Sequence, residues 1–218
     1  VDSNAGDNLG EGGRLALKGS LGSIDPLHPA CSAGTFLAQL RENVDVPLDG
    51  EIFEPLSAFH DHLDQVHIRT QPYIHGLPVV GSQVIVHADA NLGDVVSVTG
   101  QWPVTTQLPE TSTLDKEELF ERAQDQLQME DAQAVGEPTL LYVMNEEGET
   151  HLAWRLTVSY EGSEGEERDD IYLDATEGFV VAVHPQIHRI LHRKIYASYP
   201  ACTYKPEECI TYRLPGNF

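Results

Sequence analysis

No run of apolar residues in this chain approaches the roughly 18–20 that a membrane span requires, so no spanning helix is expected. No basic-then-apolar leader opens it: Val1-Asp2-Ser3 runs straight into polar sequence. Because the first residue is not Met, earlier removal of a leader is an expectation. Positive charge is scarce. Thirteen Lys and Arg stand against 35 Asp and Glu, a formal net charge of −22, so the chain repels phosphate backbones and nucleic-acid binding is not expected. Two accounts of that charge stay open, a solvated acidic surface suited to a secreted or saline setting and complementarity to a basic or metal-bearing partner. Cysteine is scarce too. Three are too few for a disulfide framework, although Cys202 and Cys209 are spaced to close a small loop around Lys205-Pro206, leaving Cys31 over. An oxidising compartment is compatible with such a loop.

The signatures of catalysis are missing as well. The chain has no HExxH, no G-x-S-x-G elbow, no phosphate-cradling Gly-rich loop and no Cys/His quartet at zinc spacing. Ten histidines invite a metal, but the densest cluster, His60-Asp61-His62, falls in a segment read as helix, where rings two apart diverge. Surface or hydrogen-bonded histidines account for them better. The carboxylate run Glu164–Asp170 reads as a solvated loop without apolar walls, and Trp154, Tyr160, Tyr142 and Tyr172 read as sheet packing. From its residues alone the chain is not an enzyme, and neither a catalytic nor a metal site is assigned to it.

What is present is a globular composition, 40% apolar, with periodic segments in a definite order. Residues 1–32 are rich in Gly, Asn, Asp and Ser and read as a flexible arm, with a short ordered piece at Arg14–Lys18. Phe36, Leu37 and Leu40 form a helical stripe that Thr35 can cap, fading before Pro47, and a second short helix is expected at Ser57–Leu63. Asp61–Asp89 reads as two extended segments meeting at His75-Gly76-Leu77-Pro78, followed by a turn at Asp89–Gly93 and a strand over Asp94–Trp102. After a linker at Leu108–Ser112, Ser112 opens an S-x-x-D box closing on Asp115, with a helix running through Gln128. Strands follow at Thr139–Asn145, His151–Tyr160, Asp169–Ala175 and Phe179–His184, the middle pair separated by a charged loop at Glu161–Arg168. The expected fold is therefore α+β, two small domains over 33–107 and 108–185, each a helix packed on an antiparallel meander sheet. Residues 186–218 read as a tail whose start, Gln186–Tyr196, is the positive stretch of an acidic chain.

The residues of the hairpin carry a further signal. Asp61, Leu63, His67, Arg69, Gln71, Tyr73, Gly76, Pro78, Val79 and Gly81, then the apolar strand Val84–Ala88, resemble the fungalysin/thermolysin propeptide motif (FTP), with Asp64 standing where that motif has Gly. The departure is mild, because Asp tolerates the left-handed region better than most residues. Residues 108–185 resemble a PepSY domain, which implies a cystatin-like second domain. Arg193-Lys-Ile-Tyr196 and Leu214-Pro-Gly216 resemble the start of a catalytic domain.

The resemblance implies the pro-region, or propeptide, of a secreted thermolysin-like zinc metalloprotease, extracellular or periplasmic in transit. Such a zymogen segment acts as intramolecular chaperone and protease inhibitor of its cognate catalytic domain. Zinc is then expected in that partner, with calcium as a further candidate, and no cofactor in this chain. The inhibitory and processing segment is placed at His184, Pro185, His188, Arg189, His192 and Arg193, with cleavage between Pro185 and Lys194. Two alternatives stand beside it: a freestanding secreted inhibitor or binding module built from the same two domains, and a metal-buffering acidic, His-rich protein. An HExxH encoded beyond Phe218 favours the pro-region, and a stop codon there favours the freestanding form.

Overall fold

The computed structural model describes residues 14–44, 50–103, 108–129, 131–162 and 165–186. They belong to one of the two compact units of the chain, Val1–Ile187; the other, His188–Phe218, lies outside the described residues. Strand β1 (Arg14–Lys18) precedes helix α1 (Pro29–Val44). Then come β2 (Ile52–His60), β3 (Gln65–Ile74), β4 (Leu77–Val80), β5 (Val84–Asp89) and β6 (Val95–Gln101). Helix α2 (Lys116–Leu127) leads to β7 (Gln133–Ala134), β8 (Thr139–Met144), β9 (Thr150–Gly162), β10 (Gly165–Asp174) and β11 (Val180–Pro185).

All eleven strands join one sheet, in the order β1-β6-β5-β3-β4-β8-β9-β10-β11, with β2 added on β3 and β7 on β9. The junction is β4. It is antiparallel to the end of β3, Ile74 facing Leu77, and parallel to β8, Val79 facing Tyr142 and Val80 facing Val143. This overturns the expectation of two small domains, each a helix on its own meander. Strands dominate and the sheet runs unbroken through both halves. Short-range periodicity cannot show a parallel pair between strands so far apart in sequence.

The first half packs α1 on one sheet face. Ala33, Phe36 and Leu37 recur at three- and four-residue spacing and meet Val66, Ile68, Val84, Val86 and Val98. The helix begins at Pro29 rather than Thr35, using proline where a helix has no amide to lose. Arg14–Lys18 is an ordered edge strand, its Leu15 and Leu17 buried beside β6. Arg41 is buried on the inner side of α1. Its Nε donates to Glu51 Oε2 at 3.1 Å, its Nη2 donates to the Pro103 carbonyl, and its guanidinium lies 4.8 Å from the Trp102 ring centroid. No helix of the described residues is long and apolar enough to cross a membrane.

The second half packs Leu119 and Ala123 of α2 against Leu152, Trp154, Leu156, Ile171 and Leu173. Each fully buried Leu or Ile there contributes about 1.5–3 kcal/mol of transfer free energy. Leu141, Val143, Ala153 and Tyr172 form a separate buried cluster.

Several local expectations are corrected. Ser57–Leu63 is not a helix: residues 52–60 form edge strand β2, on which Phe53 alone is buried, so the alternation that marks a strand is absent. Pro55 is tolerated there because an outer edge needs no amide, and the register shifts between Pro55 and Ser57. His60 therefore ends a strand and His62 lies in the next turn. Of the loop expected over Glu161–Arg168, residues 161–162 and 165–168 instead belong to strands β9 and β10, with Gly162 facing Gly165. Nor does the Ser112–Asp115 box form. Asp115 is the N-cap without a side-chain bond, while the Ser112 hydroxyl accepts from Trp154 Nε1 at 2.8 Å and donates to the Ala175 carbonyl at 2.9 Å.

Candidate functional site

The residues of the hairpin motif fall into two groups. The first builds the junction. β3 pairs with β5 over Gln65–Thr70, then parts from it, and its last two residues pair with β4. Two tight bends make this possible. His75 (φ 50) and Gly76 (φ 76) turn β3 into β4, and Gly81 (φ 84) turns β4 away from β8 toward β5. A β-carbon on Gly81 would meet the Met144 carbonyl at 3.0 Å, so glycine permits both the dihedral and the approach of β8. Gln71 Nε2 donates to the carbonyls of Val79 and Ser82, closing the second bend from inside. The extended segment expected from Val79 through Val86 is thus two strands with a break at Gly81. Tyr73 faces Ile52 on one side and Pro78 on the other, and Val79 is fully buried.

His75 ties this bend to the second half. Tyr142 donates its hydroxyl proton to the Pro109 carbonyl at 2.8 Å, so its oxygen accepts from His75 Nδ1–H, also at 2.8 Å. Burial, then the Glu110 carboxylate, pushes the Tyr142 phenol up to about 12.

The second group lies on the opposite sheet face from α1. Alternation along a strand puts His67, His87 and Thr99 away from the core that Val66, Ile68, Val86 and Val98 enter. Asp61 Oδ2 is 2.9 Å from His67 Nε2, His67 Nδ1 is 2.7 Å from His87 Nδ1, and His87 Nε2 is 2.9 Å from Thr99 Oγ1. The Phe59 ring stacks on His67 with centroids 4.7 Å apart. Asp61 Oδ1 also accepts the amides of Leu63 and Gln65. The His67 hydrogen bond, then the Gln65 amide, lowers the Asp61 carboxyl to about 2. Asp64, standing where the motif has Gly, has φ 55, the left-handed conformation that glycine would supply. Arg69 is exposed beside His67 and makes no ion pair among the described residues.

Of the segment expected to inhibit and be cut, His184 and Pro185 are described. They end edge strand β11, where the His184 ring meets Tyr172 edge-on with centroids 4.9 Å apart. Val183 and Phe179 beside them are exposed, and Met144, Asn145 and Glu146 line a shallow groove along this strand. His188, Arg189, His192, Arg193, Cys202 and Cys209 lie outside the described residues.

Sequence reasoning missed three polar clusters. One is the Asp61–His67–His87–Thr99 line. A second surrounds Asp174, whose carboxylate accepts from the Thr176 hydroxyl at 2.6 Å, from the amides of Thr176 and Glu177, and from His151 at 3.2 Å. Burial raises the Asp174 carboxyl, but these donors together outweigh it and leave it lowered. The third is the supposed carboxylate loop: Asp169 and Asp170 are buried on β10, where Asp170 accepts from Thr157 at 2.6 Å and Gln186 at 2.8 Å, and Asp169 from Tyr160 at 2.8 Å. A period-two reading of β5 and β6 could have placed His87 and Thr99 on one face; nothing local could have paired them with Asp61.

Residues 53–101 match the fungalysin/thermolysin propeptide motif, which spans β2 through β6. The chain carries that motif. It is also similar in structure to the Bacillus megaterium YpeB C-terminal domain, at 14% identity and a TM-score of 0.37, over 76% of this chain and 66% of that one. This chain therefore spans less than two thirds of that neighbour's length. No curated protein matches.

Proposed function

We propose that this chain is the pro-region of a thermolysin-like zinc metalloprotease precursor, which assists folding of the catalytic domain and then holds it inactive. The observation that carries the reading is the propeptide motif at residues 53–101. Its partner is the cognate catalytic domain, which holds the zinc, and both are secreted. The chain itself is a scaffold rather than a catalyst, and its second half is of the PepSY kind.

The physical properties of the chain suit that role. Among the described residues, a wide sheet stiffened by helices α1 and α2 offers a preformed surface, so little ordering entropy is lost when a partner docks. β11 is an outer strand with Val183 exposed, which suits strand-to-strand contact with an extended segment. A chain that binds the native partner and not the unfolded one stabilises it by mass action. The test is refolding. Denatured catalytic domain diluted with this chain should recover activity, after removal of the chain, at several times the yield obtained without it; an equal yield contradicts the chaperone role.

A further inference from the structure

The histidine line on the open sheet face admits a limited set of proton arrangements. With both rings neutral, one assignment satisfies every contact: Thr99 Oγ1–H donates to His87 Nε2, His87 Nδ1–H donates to His67 Nδ1, and His67 Nε2–H donates to Asp61. One added proton is also accommodated. It protonates His87 Nε2, the Thr99 hydroxyl turns from donor to acceptor, and a single proton still lies between the two Nδ1 atoms. A second added proton has no place, because two N–H groups would then face each other across 2.7 Å. The folded pair therefore carries zero or one added proton, never two.

We propose that the line Asp61–His67–His87–Thr99 is an acid-sensitive latch that holds the His60 end of β2 and the β2–β3 turn on the sheet at neutral pH and releases them on acidification. Asp61 fastens the turn through the Leu63 and Gln65 amides, and His67 fastens β2 through the stacked Phe59 ring. The ladder to β3 and the buried Phe53 hold the rest of β2, so Asp61 and the stacked Phe59 ring act on its His60 end and on the turn, beside an outer edge unpaired among the described residues.

The surroundings set the balance of charge. From the β2–β3 turn, Asp61 faces the rings; along β3, Gln65 and Arg69 flank His67; along β5, Ile85 and Asp89 flank His87. From β6 come Ser97 and Thr99, and across β6 from β1 come Lys18 and Ala16. Asp61 compensates one added proton. Asp89 Oδ1 is occupied by the amides of Asn91 and Leu92, and the cations Arg69 and Lys18 oppose a second. Burial, then the charge of His67, holds the His87 ring below the ordinary histidine range, in agreement with the geometry.

The sign follows by linkage. Both rings of the unfolded chain protonate near the ordinary value of about 6.5. Well below that value the unfolded pair carries two added protons against at most one in the folded pair, so folding loses about tenfold or more in its equilibrium constant per pH unit. The latch belongs to the chain itself and stands whether or not the chain is a pro-region.

Ring-nitrogen NMR on the full chain tests it without any substitution. The expected result is His67 as the Nε2–H tautomer and His87 as the Nδ1–H tautomer at pH 7.5, with the folded pair taking up no more than one proton as the pH is lowered to 5. Other tautomers, or two rings that each protonate fully and independently, would overturn the proposal. Denaturant unfolding of His87→Gln against the parent adds a second reading. Between pH 6 and pH 5 the parent should lose about tenfold more in its folding constant than the variant; equal losses would also overturn it.

Discussion

One hydrogen bond, from His75 Nδ1–H to the Tyr142 hydroxyl, joins the bend after β3 to strand β8, and the same hydroxyl reaches the segment ahead of α2 through Pro109. The contact stands beside the parallel pairing of Val79 with Tyr142, where the two halves of the sheet meet. Tyr142→Phe keeps the ring and removes the hydroxyl, leaving the His75 N–H and the Pro109 carbonyl without this partner. A loss of about 1–3 kcal/mol in stability is expected by denaturant titration. An unchanged midpoint would mean that water replaces the hydroxyl at no penalty.

Gly76 should resist substitution for backbone reasons alone. Its φ is 76, and a β-carbon there meets nothing within 4 Å, so any penalty is conformational rather than steric contact with the fold. Gly76→Val should lose about 1–3 kcal/mol, and Gly76→Asn clearly less, because Asn enters the left-handed region more readily. Thermal melts of the two variants give the order; equal melting temperatures would contradict it.

The Arg41–Glu51 pair is deeply buried, with side chains 1% and 2% exposed. Glu51→Ala removes the carboxylate that balances the buried guanidinium, which keeps its Pro103 and Trp102 contacts, and should lose about 3–5 kcal/mol in chemical unfolding. A change below about 1 kcal/mol, the range of surface pairs, would show that the charge escapes to water.

Asp61 adds a lower acid limit to the histidine line it belongs to. Its carboxyl is lowered from 3.8 to about 2, so the stability it contributes is complete above the unfolded value and is lost as pH falls from about 4 to 2. Asp61→Asn should therefore flatten the pH dependence of unfolding in that window and, because Asp61 also compensates the proton added to the histidine pair, change the slope between pH 6 and pH 5. An identical slope below pH 4 would remove Asp61 from the account.

How much of this was legible depended on the range of the interaction. The first arm of the segment expected over Asp61–Asp89, α2 and the strands of the second half follow from periodicity and turn residues, which act locally, whereas the break of the second arm at Gly81 does not. Edge strand β2 did not, because an outer strand with one buried residue carries no alternating pattern; the chance spacing of Phe59 and Leu63 imitated a helix. Ser112 illustrates the same limit. Its local box looked sound, but Trp154 and Ala175 recruit its hydroxyl from across the sheet. The motif residues themselves were legible by spacing, yet what Gln71 and Gly81 do, closing a bend so that β4 can cross to β8, requires the partner strand to be seen. The Asp61–His67–His87–Thr99 line was hidden for that reason too, since it gathers residues from the β2–β3 turn and three strands.

The pro-region assignment is tested most directly by titrating this chain into the mature catalytic domain of its cognate protease and measuring peptide hydrolysis. The assignment predicts that activity falls to a low plateau at saturating chain and returns when the chain is degraded. Undiminished hydrolysis at saturation would contradict it.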